Sequence, residues 1–269
     1  MSVQKPSTAR FKGPKVVTLD IETSPIVAYV WSLFKVNVGL NQILTDWSIL
    51  SFSHKWLHAK RVHYADVSQQ SDLRDDSALL SLLWHVLDEA DIVVAQNGLA
   101  FDVKKINARF LQMGWQPPRP FKVVDTLLMA KQIAKFTSNR QDWLSQVLTD
   151  QPKEHHNEFP GMELWNECLK GNPKAWACMK KYNKRDITGC EKMYLAMRPY
   201  YVGHPNVAAY YDDDAMRCPK CGSIHQRDAG PVYTQTGQYT RYQCIDCGGF
   251  SRSRYTLNSK SKRQSLLAN

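Results

Sequence analysis

The chain has 269 residues, of which 43% are hydrophobic, and this is enough for one large domain with a real core plus a small module. No apolar run approaches the ~20 residues of a membrane-spanning helix, and the first residues lack the apolar segment of a signal peptide. We therefore expect an intracellular, cytoplasmic protein without a membrane partner. The net charge of +10 favours a polyanion such as nucleic acid as partner, and residues 217–269 carry most of it, with nine Lys or Arg against two Asp or Glu.

The first predicted element is a buried strand that ends in two carboxylates. Residues 16–19 are apolar or β-branched, which predicts a central strand, and Asp20 and Glu22 follow at its end. Residues two apart on a strand point to the same face, so these two negative charges stand side by side and repel each other. A divalent cation is the usual way to offset that repulsion. The alternative is a polar strand end that enters a Thr-Ser-Pro turn.

A long excursion and two more strands follow. Residues 27–46 are rich in Trp, Phe and Leu without a clear period, and they form either a substrate-facing loop or a loop that Trp31 and Phe34 pin to the core. The segments 49–56 and 61–67 are candidate strands, and with the first strand they predict an antiparallel meander.

From residue 75 onward, helices and strands alternate, which after an antiparallel start predicts an α/β domain with a mixed sheet. Asp75 or Asp76 is the predicted N-cap of the first helix. We interpret residues 151–161 as a loop in which His155 and His156 are solvated, although adjacent His residues can also bind a metal ion. The predicted helices are 75–90, 102–113, 126–136, 140–149 and 173–197, and the predicted strands are 91–96 and 121–124.

Two further carboxylates are predicted to approach the end of the first strand. Asp102 follows a tight turn behind a buried strand, which places it at the carboxyl edge of the sheet, although it can also cap the next helix. Tyr182 and Asp186 lie four residues apart in the last helix and therefore share one face. That face packs on the sheet, where an unpaired carboxylate is costly and a metal ion near Asp20 and Glu22 would remove the cost.

These residues form three short motifs in order along the chain: Asp20-x-Glu22, Asn97-x-x-x-Phe101-Asp102 and Tyr182-x-x-x-Asp186. Together they resemble the three exonuclease motifs of the DEDD (DnaQ-like) 3′–5′ exonucleases in their tyrosine variant. The resemblance covers roughly residues 11–204 and implies a ribonuclease H-like fold, with a mixed five-stranded sheet flanked by helices. It extends to phage and bacterial exonuclease-like proteins with a C-terminal zinc ribbon, which implies a cytoplasmic location in a bacterium or a phage-infected cell.

The resemblance implies a site for two Mg²⁺ or Mn²⁺ ions that hydrolyses phosphodiester bonds. Asp20 would bridge both ions, and Glu22 and Asp186 would complete the site that binds the attacking water. Asp102 would hold the second ion through water. All four would then be catalytic carboxylates.

The same resemblance assigns roles to three other side chains. Tyr182 would hydrogen-bond the attacking water and orient it, since a phenol with a pKa near 10 is a poor base at neutral pH. Asn97 and Phe101 would contact the terminal nucleotide or shape its pocket. A fifth carboxylate, Asp125, lies at a strand end, and we interpret it as supporting or structural.

Two Cys-x-x-Cys pairs in the last quarter of the chain, each followed by Gly and separated by 22 residues, predict one structural Zn²⁺ site. The four ligands would be Cys218, Cys221, Cys244 and Cys247. The module of ~40 residues is small, so the metal would supply much of its folding energy. Arg241, Arg252 and Arg254, interleaved with aromatic residues, suit contact with a nucleic-acid backbone and with bases. The alternative is a structural ribbon that docks on the nuclease domain or on another protein.

With this resemblance, we expect a two-metal 3′–5′ exonuclease on DNA, with single-stranded DNA favoured, that releases nucleoside monophosphates. Three alternatives stay open: a 3′–5′ exoribonuclease, a non-catalytic nucleic-acid-binding protein and a structure-specific DNA endonuclease. The sequence does not indicate which proteins, if any, bind this chain. The predicted divisions are a disordered tail 1–10, a nuclease domain 11–204, a linker 205–216, a zinc ribbon 217–257 and a basic tail 258–269.

Overall fold

The computed structural model describes residues 13–150 and 156–268, so the predictions for residues 1–10 and for His155 lie outside the described residues. The chain divides into two compact units. The larger unit is Lys15–Tyr194, and the described residues of the smaller unit are 13–14 and 195–268. The boundaries predicted at residues 204, 216 and 257 stay predictions.

The larger unit is built on a mixed five-stranded sheet in the order β5-β4-β1-β6-β7, which confirms the predicted fold class. Its first three members pair antiparallel, as the predicted meander requires, and β6 and β7 continue the sheet in parallel from β1. A separate two-stranded hairpin joins β2 to β3. The strands are β1 (Val16–Thr23), β2 (Val27–Ala28), β3 (Ile43–Thr45), β4 (Ile49–Trp56), β5 (His63–Asp66), β6 (Ile92–Ala95) and β7 (Lys122–Asp125).

The central strands are buried on both faces, which explains why they read as continuous apolar runs instead of alternating patterns. All four residues of β6 are buried, as are the first four of β1. One hydrophobic core joins these strands to the helices and contains, among others, Val17, Leu50, Leu83, Ile106 and Met179.

Within the described residues, six α-helices belong to the larger unit or begin in it, and the one predicted at residues 173–197 is confirmed at both ends. The short helix at Glu163–Leu169 was not predicted from the sequence. The helices are α1 (Ser77–Glu89), α2 (Asp102–Gln112), α3 (Thr126–Ile133), α4 (Gln141–Leu148), α5 (Glu163–Leu169) and α6 (Pro173–Met197).

The predicted capping of α1 is corrected by the structure. Asp76 occupies the N-cap position but makes no side-chain capping bond to the helix. Its carboxylate instead accepts hydrogen bonds from the guanidinium of Arg109 at 2.6 and 2.8 Å and from the backbone of Ile49 at 2.9 Å. Asp75 accepts a bond from the backbone N–H of Ser77. A buried ion pair has thus taken the place of the expected cap.

The excursion at residues 27–46 is not pinned to the core by its aromatic residues, so that alternative was wrong. Trp31 is 100% exposed and Phe34 is 85% exposed. The hairpin of β2 and β3 closes the base of the excursion, and the apolar side chains between these strands face solvent. A contact between this segment and substrate stays a prediction.

The smaller unit contains a three-stranded antiparallel sheet and a short helix. The predicted linker holds a 3₁₀ turn at Val207–Tyr210, in which Val207 is buried and donates a backbone hydrogen bond to Pro219. Among the described residues of the whole chain, no helix is long and apolar enough to cross a membrane. The elements of this unit are β8 (Gln226–Tyr233), β9 (Gln238–Cys244), β10 (Phe250–Thr256) and α7 (Lys260–Ser265).

Candidate active site and metal centres

Three of the predicted carboxylates converge at one point of the larger unit. Asp20 and Glu22 come from β1, and Asp186 comes from α6. One oxygen of each lies within 4.8 Å of the others, and Asp186 is almost fully buried. Oxygens that bind one Mg²⁺ at ~2.1 Å lie at most about 4.2 Å apart, which is close to the spacing of this group. The donor set therefore fits a hard divalent cation, which would also offset the mutual repulsion of the three charges.

Two neighbouring side chains orient these carboxylates. The indole Nε1 of Trp165 donates to Glu22 Oε2 at 3.1 Å, and the amide Nδ2 of Asn183 donates to Asp20 Oδ2. Asn183 is fully buried, and its Oδ1 has no hydrogen-bond partner within the described part of the chain. The sequence reasoning missed both residues. Asn183 could have been found, since it lies three positions before Asp186 on the inward face of α6, whereas Trp165 lies on the helix that was not predicted.

Asp102 is buried beside β1 but is not one of the group of three. Its Oδ1 accepts a hydrogen bond of 3.1 Å from the backbone N–H of Ile21, between the two carboxylates of β1. Burial, and to a lesser degree the charge of Asp125, raises the pKa of Asp102 to about 7. Phe101, not Asp102, is the N-cap residue of α2, and its side chain is about one third exposed.

Tyr182 lies one turn before Asp186 on α6, as predicted, and aromatic side chains enclose it. The edges of the His156 and Trp165 rings meet it at centroid distances of 5.2 and 6.2 Å. Burial, and then the charges of Asp186, Glu22 and Asp20, raises the pKa of Tyr182 well above its ordinary value. The phenol therefore stays protonated at neutral pH and can donate a hydrogen bond.

His156 is not the solvated loop residue that the sequence suggested. Its ring packs on Tyr182 and Trp165, and its Nδ1 lies 2.5 Å from the carbonyl oxygen of Phe159. Since a carbonyl only accepts hydrogen bonds, Nδ1 carries the proton in this contact. His156 therefore helps to form the aromatic wall beside the carboxylates.

The turn that carries Asn97 is held by Asp125 from the neighbouring strand. The Asp125 carboxylate accepts from the backbone N–H groups of Asn97 and Leu99 at 3.1 Å, and it also caps α3. A Cβ at Gly98 would lie 2.5 Å from that of Ala95, so only glycine fits this close approach. Asp125 thus has a structural role, in agreement with the prediction, and contact of Asn97 with a nucleotide stays a prediction.

A family model described as the RNase_H superfamily matches residues 44–198, which is more than half of the chain. This chain belongs to the RNase H superfamily. Members of the superfamily are usually nucleases and typically use divalent metal ions. The matched residues include Asp102 and Asp186 and end before the four cysteines.

Among solved structures, this RNase H-like chain is similar to the family B DNA polymerase from the hyperthermophilic archaeon Pyrobaculum calidifontis. The sequence identity is 13%, the TM-score is 0.48, and the match covers 70% of this chain and 26% of the polymerase chain. This chain therefore spans about a quarter of the length of that polymerase. No match was found among curated proteins.

Outside the RNase H-like unit, the four cysteines meet in the smaller unit, and their sulfur atoms lie within 4.8 Å of one another. The Sγ atoms of Cys218 and Cys247 are 3.7 Å apart, and those of Cys221 and Cys244 are 3.6 Å apart. Four sulfurs around Zn²⁺ at ~2.3 Å in a tetrahedron would be separated by about 3.8 Å. The cluster is thus compatible with a zinc ribbon, and the identity of the ion stays a prediction.

Both Cys-x-x-Cys turns adopt the same backbone arrangement. The first cysteine of each turn accepts, through its carbonyl, a bond of 2.9 Å from a glycine N–H: Gly222 to Cys218 and Gly248 to Cys244. A hydrogen bond from the Cys221 thiol is the main cause that lowers the pKa of Cys218 to about 5. The same contact, together with burial, raises the pKa of Cys221, and burial raises that of Cys247, so the thiolate, the form that binds a metal ion, is favoured at Cys218.

Two of the three arginines that were predicted to contact nucleic acid also make local contacts. Arg241 donates to the carbonyl of Ala229 at 2.8 and 3.1 Å, and the guanidinium of Arg252 lies 4.2 Å from the centroid of the Tyr239 ring. Arg254 is exposed. Their role in binding a strand stays a prediction.

Proposed function

We propose that this chain is a metal-dependent nuclease, and more specifically a 3′–5′ exonuclease that acts on single-stranded DNA. The observation that carries the proposal is the convergence of Asp20, Glu22 and Asp186 within 4.8 Å, in a chain of the RNase H superfamily. Phosphodiester hydrolysis requires an activated water and stabilisation of the charge on the phosphate. A divalent ion held where these carboxylates meet would meet both requirements.

The three carboxylates would hold a divalent ion, and their hard oxygen donors suit Mg²⁺ or Mn²⁺. When bound, such an ion acidifies a water molecule and neutralises charge on the phosphate. Trp165 and Asn183 keep Glu22 and Asp20 in position by the hydrogen bonds described above. Asp102 is held by the backbone of Ile21, and we propose that it serves a second ion through water.

Tyr182 would position the nucleophile. Its phenol is protonated at neutral pH for the reasons given above, so it would donate a hydrogen bond and would not remove a proton. The tyrosine at this position, four residues before Asp186, supports exonuclease over endonuclease activity, since it completes the third motif of the exonuclease resemblance. Asn97 and Phe101 would contact the terminal nucleotide from the turn that Asp125 holds.

In the smaller unit, we propose that the four cysteines bind one structural Zn²⁺. The sulfur separations support this, as does the scarcity of buried apolar side chains in the unit. The metal would then supply the folding energy that a small core lacks.

The proposal is tested by a time course on a single-stranded DNA oligonucleotide with a 5′ label, incubated with Mg²⁺, with Mn²⁺ or without divalent metal. We expect a ladder that shortens by one nucleotide at a time from the 3′ end, only with metal, and absent from the Asp20→Asn variant. A matched RNA strand beside it decides between DNA and RNA. Discrete internal cuts would show an endonuclease instead of an exonuclease. Binding of both strands by the protein without cleavage would contradict nuclease activity.

A further inference from the structure

A strongly basic groove runs over the outer side of α6 in the larger unit. The segment 180–185 reads Lys-Lys-Tyr-Asn-Lys-Arg, and helical geometry sends its two uncharged members inward and its four cations outward. Lys60 and Arg61, in the loop before β5, face the same region. We name this surface the α6 groove, and its six cations are Lys60, Arg61, Lys180, Lys181, Lys184 and Arg185.

The groove consists of three concavities that share residues. The first, of about 430 Å³, lies between the loop before β5 and the pair Lys180 and Lys184. The second, of about 520 Å³, shares that pair and continues along α6 to Lys181 and Arg185. The third, of about 440 Å³, shares Lys181 and reaches Tyr182. The three adjoining concavities therefore trace a path along α6, from the loop before the edge strand β5 to the side chain that we place beside the nucleophile.

The charge of this path indicates what it binds. Lys174 also lines the third concavity, and among the described residues that line the three concavities Glu158 alone carries a carboxylate. Residues 177–188 of α6 span about 16 Å, long enough for about two to four phosphates of one strand. A solvated basic face is the simplest alternative, but it does not account for concavities that lead to Tyr182.

We infer that the α6 groove binds the sugar–phosphate backbone of the single-stranded substrate on the 5′ side of its terminal nucleotide, and so directs the 3′ end to the carboxylates. This inference rests on the proposed function, and it assigns strand binding to the larger unit as well as to the arginines of the smaller one. Phosphate contacts of this kind position a strand without reading its sequence. The groove would therefore hold any single strand.

The test measures binding without hydrolysis. A labelled 12-nucleotide single-stranded DNA is titrated with Asp20→Asn protein, with no Mg²⁺ and no chelator, and anisotropy is recorded between 0.05 and 0.5 M salt, a range of about one decade. In this background, Lys180→Gln with Lys184→Gln removes two cations. At a salt slope of about −0.7 per phosphate contact, we expect the slope to weaken by about 1.4 and the affinity at 0.1 M salt to fall by about 25-fold.

A second pair and a matched control complete the design. Lys60→Gln with Arg61→Gln changes the groove from a different element, and we expect a loss of affinity in the same direction. Lys122→Gln with Lys131→Gln removes the same charge from exposed positions on β7 and α3, at the opposite edge of the sheet, and should leave the slope unchanged. Thermal melting verifies that each variant is folded.

The inference is overturned if both groove pairs leave the salt slope unchanged, or if the control pair lowers affinity as much as they do. Failure of the proposed function gives a different result: wild-type protein would cleave no strand, while the groove variants would still bind more weakly than the parent. If the wild type cleaves DNA but both groove variants bind as tightly as the parent, the nuclease activity is supported and strand binding by the α6 groove is contradicted.

Discussion

The two candidate metal centres of this chain relate to folding in opposite ways. The carboxylates lie on a five-stranded sheet and a 25-residue helix around a continuous hydrophobic core, so the fold can form first and position the ligands. The four cysteines belong to a unit with one three-stranded sheet and few buried apolar side chains among its described residues, so there the ion must help to make the fold. Removal of metal should therefore stop chemistry in the larger unit and undo structure in the smaller one.

This contrast can be followed with two separate signals. All eight Trp residues of the sequence lie within residues 15–194, so Trp fluorescence reports unfolding of the larger unit alone. Zinc content reports the smaller unit.

The largest expected effect follows from loss of a zinc ligand. Cys244→Ser should release about one Zn²⁺ per chain and leave the smaller unit unfolded, since structural Zn²⁺ contributes about 10–16 kcal/mol to such modules. Elemental analysis measures the metal, and amide hydrogen exchange measures the unfolding. Cys178→Ser, in α6, is the matched control and should retain zinc. If Cys244→Ser keeps its zinc, or if it also lowers the melting temperature of the larger unit, the contrast between the two centres is wrong.

Asp20→Asn should reduce hydrolysis on the order of 10³-fold, which corresponds to about 4 kcal/mol of transition-state stabilisation. Because the change removes one of three repelling charges, the Trp-detected melting temperature should stay constant or rise. Single-turnover kinetics and melting curves measure the two quantities. Glu163→Gln, at an exposed carboxylate in the first turn of α5, should alter neither. Unfolding of the larger unit by the Asp20 change would contradict a scaffold that forms first.

Tyr182→Phe removes one hydrogen-bond donor from the site, a phenol that also bonds Asp186, and keeps the three carboxyl groups. We expect kcat to fall about 10- to 100-fold, as for loss of a bond to a charged or polarised group of about 1.5–3 kcal/mol. The affinity for Mn²⁺ should stay the same. Weaker Mn²⁺ binding in this variant would show that the phenol supports the metal ligands and does not act on the nucleophile.

The smallest expected effect is a pH dependence of the stability of the larger unit, which does not depend on bound metal. Burial, and then the charge of His63, lowers the pKa of His54 on β4 to about 4, whereas Glu89 acts in the opposite direction. His54 therefore takes up a proton near pH 6.5 in the unfolded chain but only near pH 4 in the folded chain. The folded state loses stability as pH falls from about 6.5 to 4. After allowance for partial exposure, the loss is about 1–2 kcal/mol.

Urea unfolding followed by Trp fluorescence at pH 7, 5.5 and 4.5 measures this loss. His54→Gln should flatten the dependence on pH over that range. If the slope of the variant equals that of the wild type, His54 is not its source.

The parts of the site that sequence could predict are those set by local periodicity. The two-residue period of β1 places Asp20 and Glu22 on one face, and the four-residue spacing in α6 joins Tyr182 to Asp186. The contributions of Trp165 and His156 depend on the path of residues 156–169, which no local pattern determines.

The sequence was also misread where side-chain type suggested burial. Trp31 and Phe34 are large and apolar, yet the short strands β2 and β3 support a segment that has no core to enter. Asp76 had the right position for a cap, but the guanidinium of Arg109, 33 residues away, competes for its carboxylate. Such long-range partners become visible only once the fold is known.

The most direct measurement of the central claim is a Mn²⁺ titration by calorimetry on zinc-loaded protein, wild type beside Asp20→Asn. We expect the wild type to bind Mn²⁺ at a site that the variant has lost, while both proteins contain about one Zn²⁺ per chain. Equal Mn²⁺ binding by the two proteins would contradict a metal site at the three carboxylates.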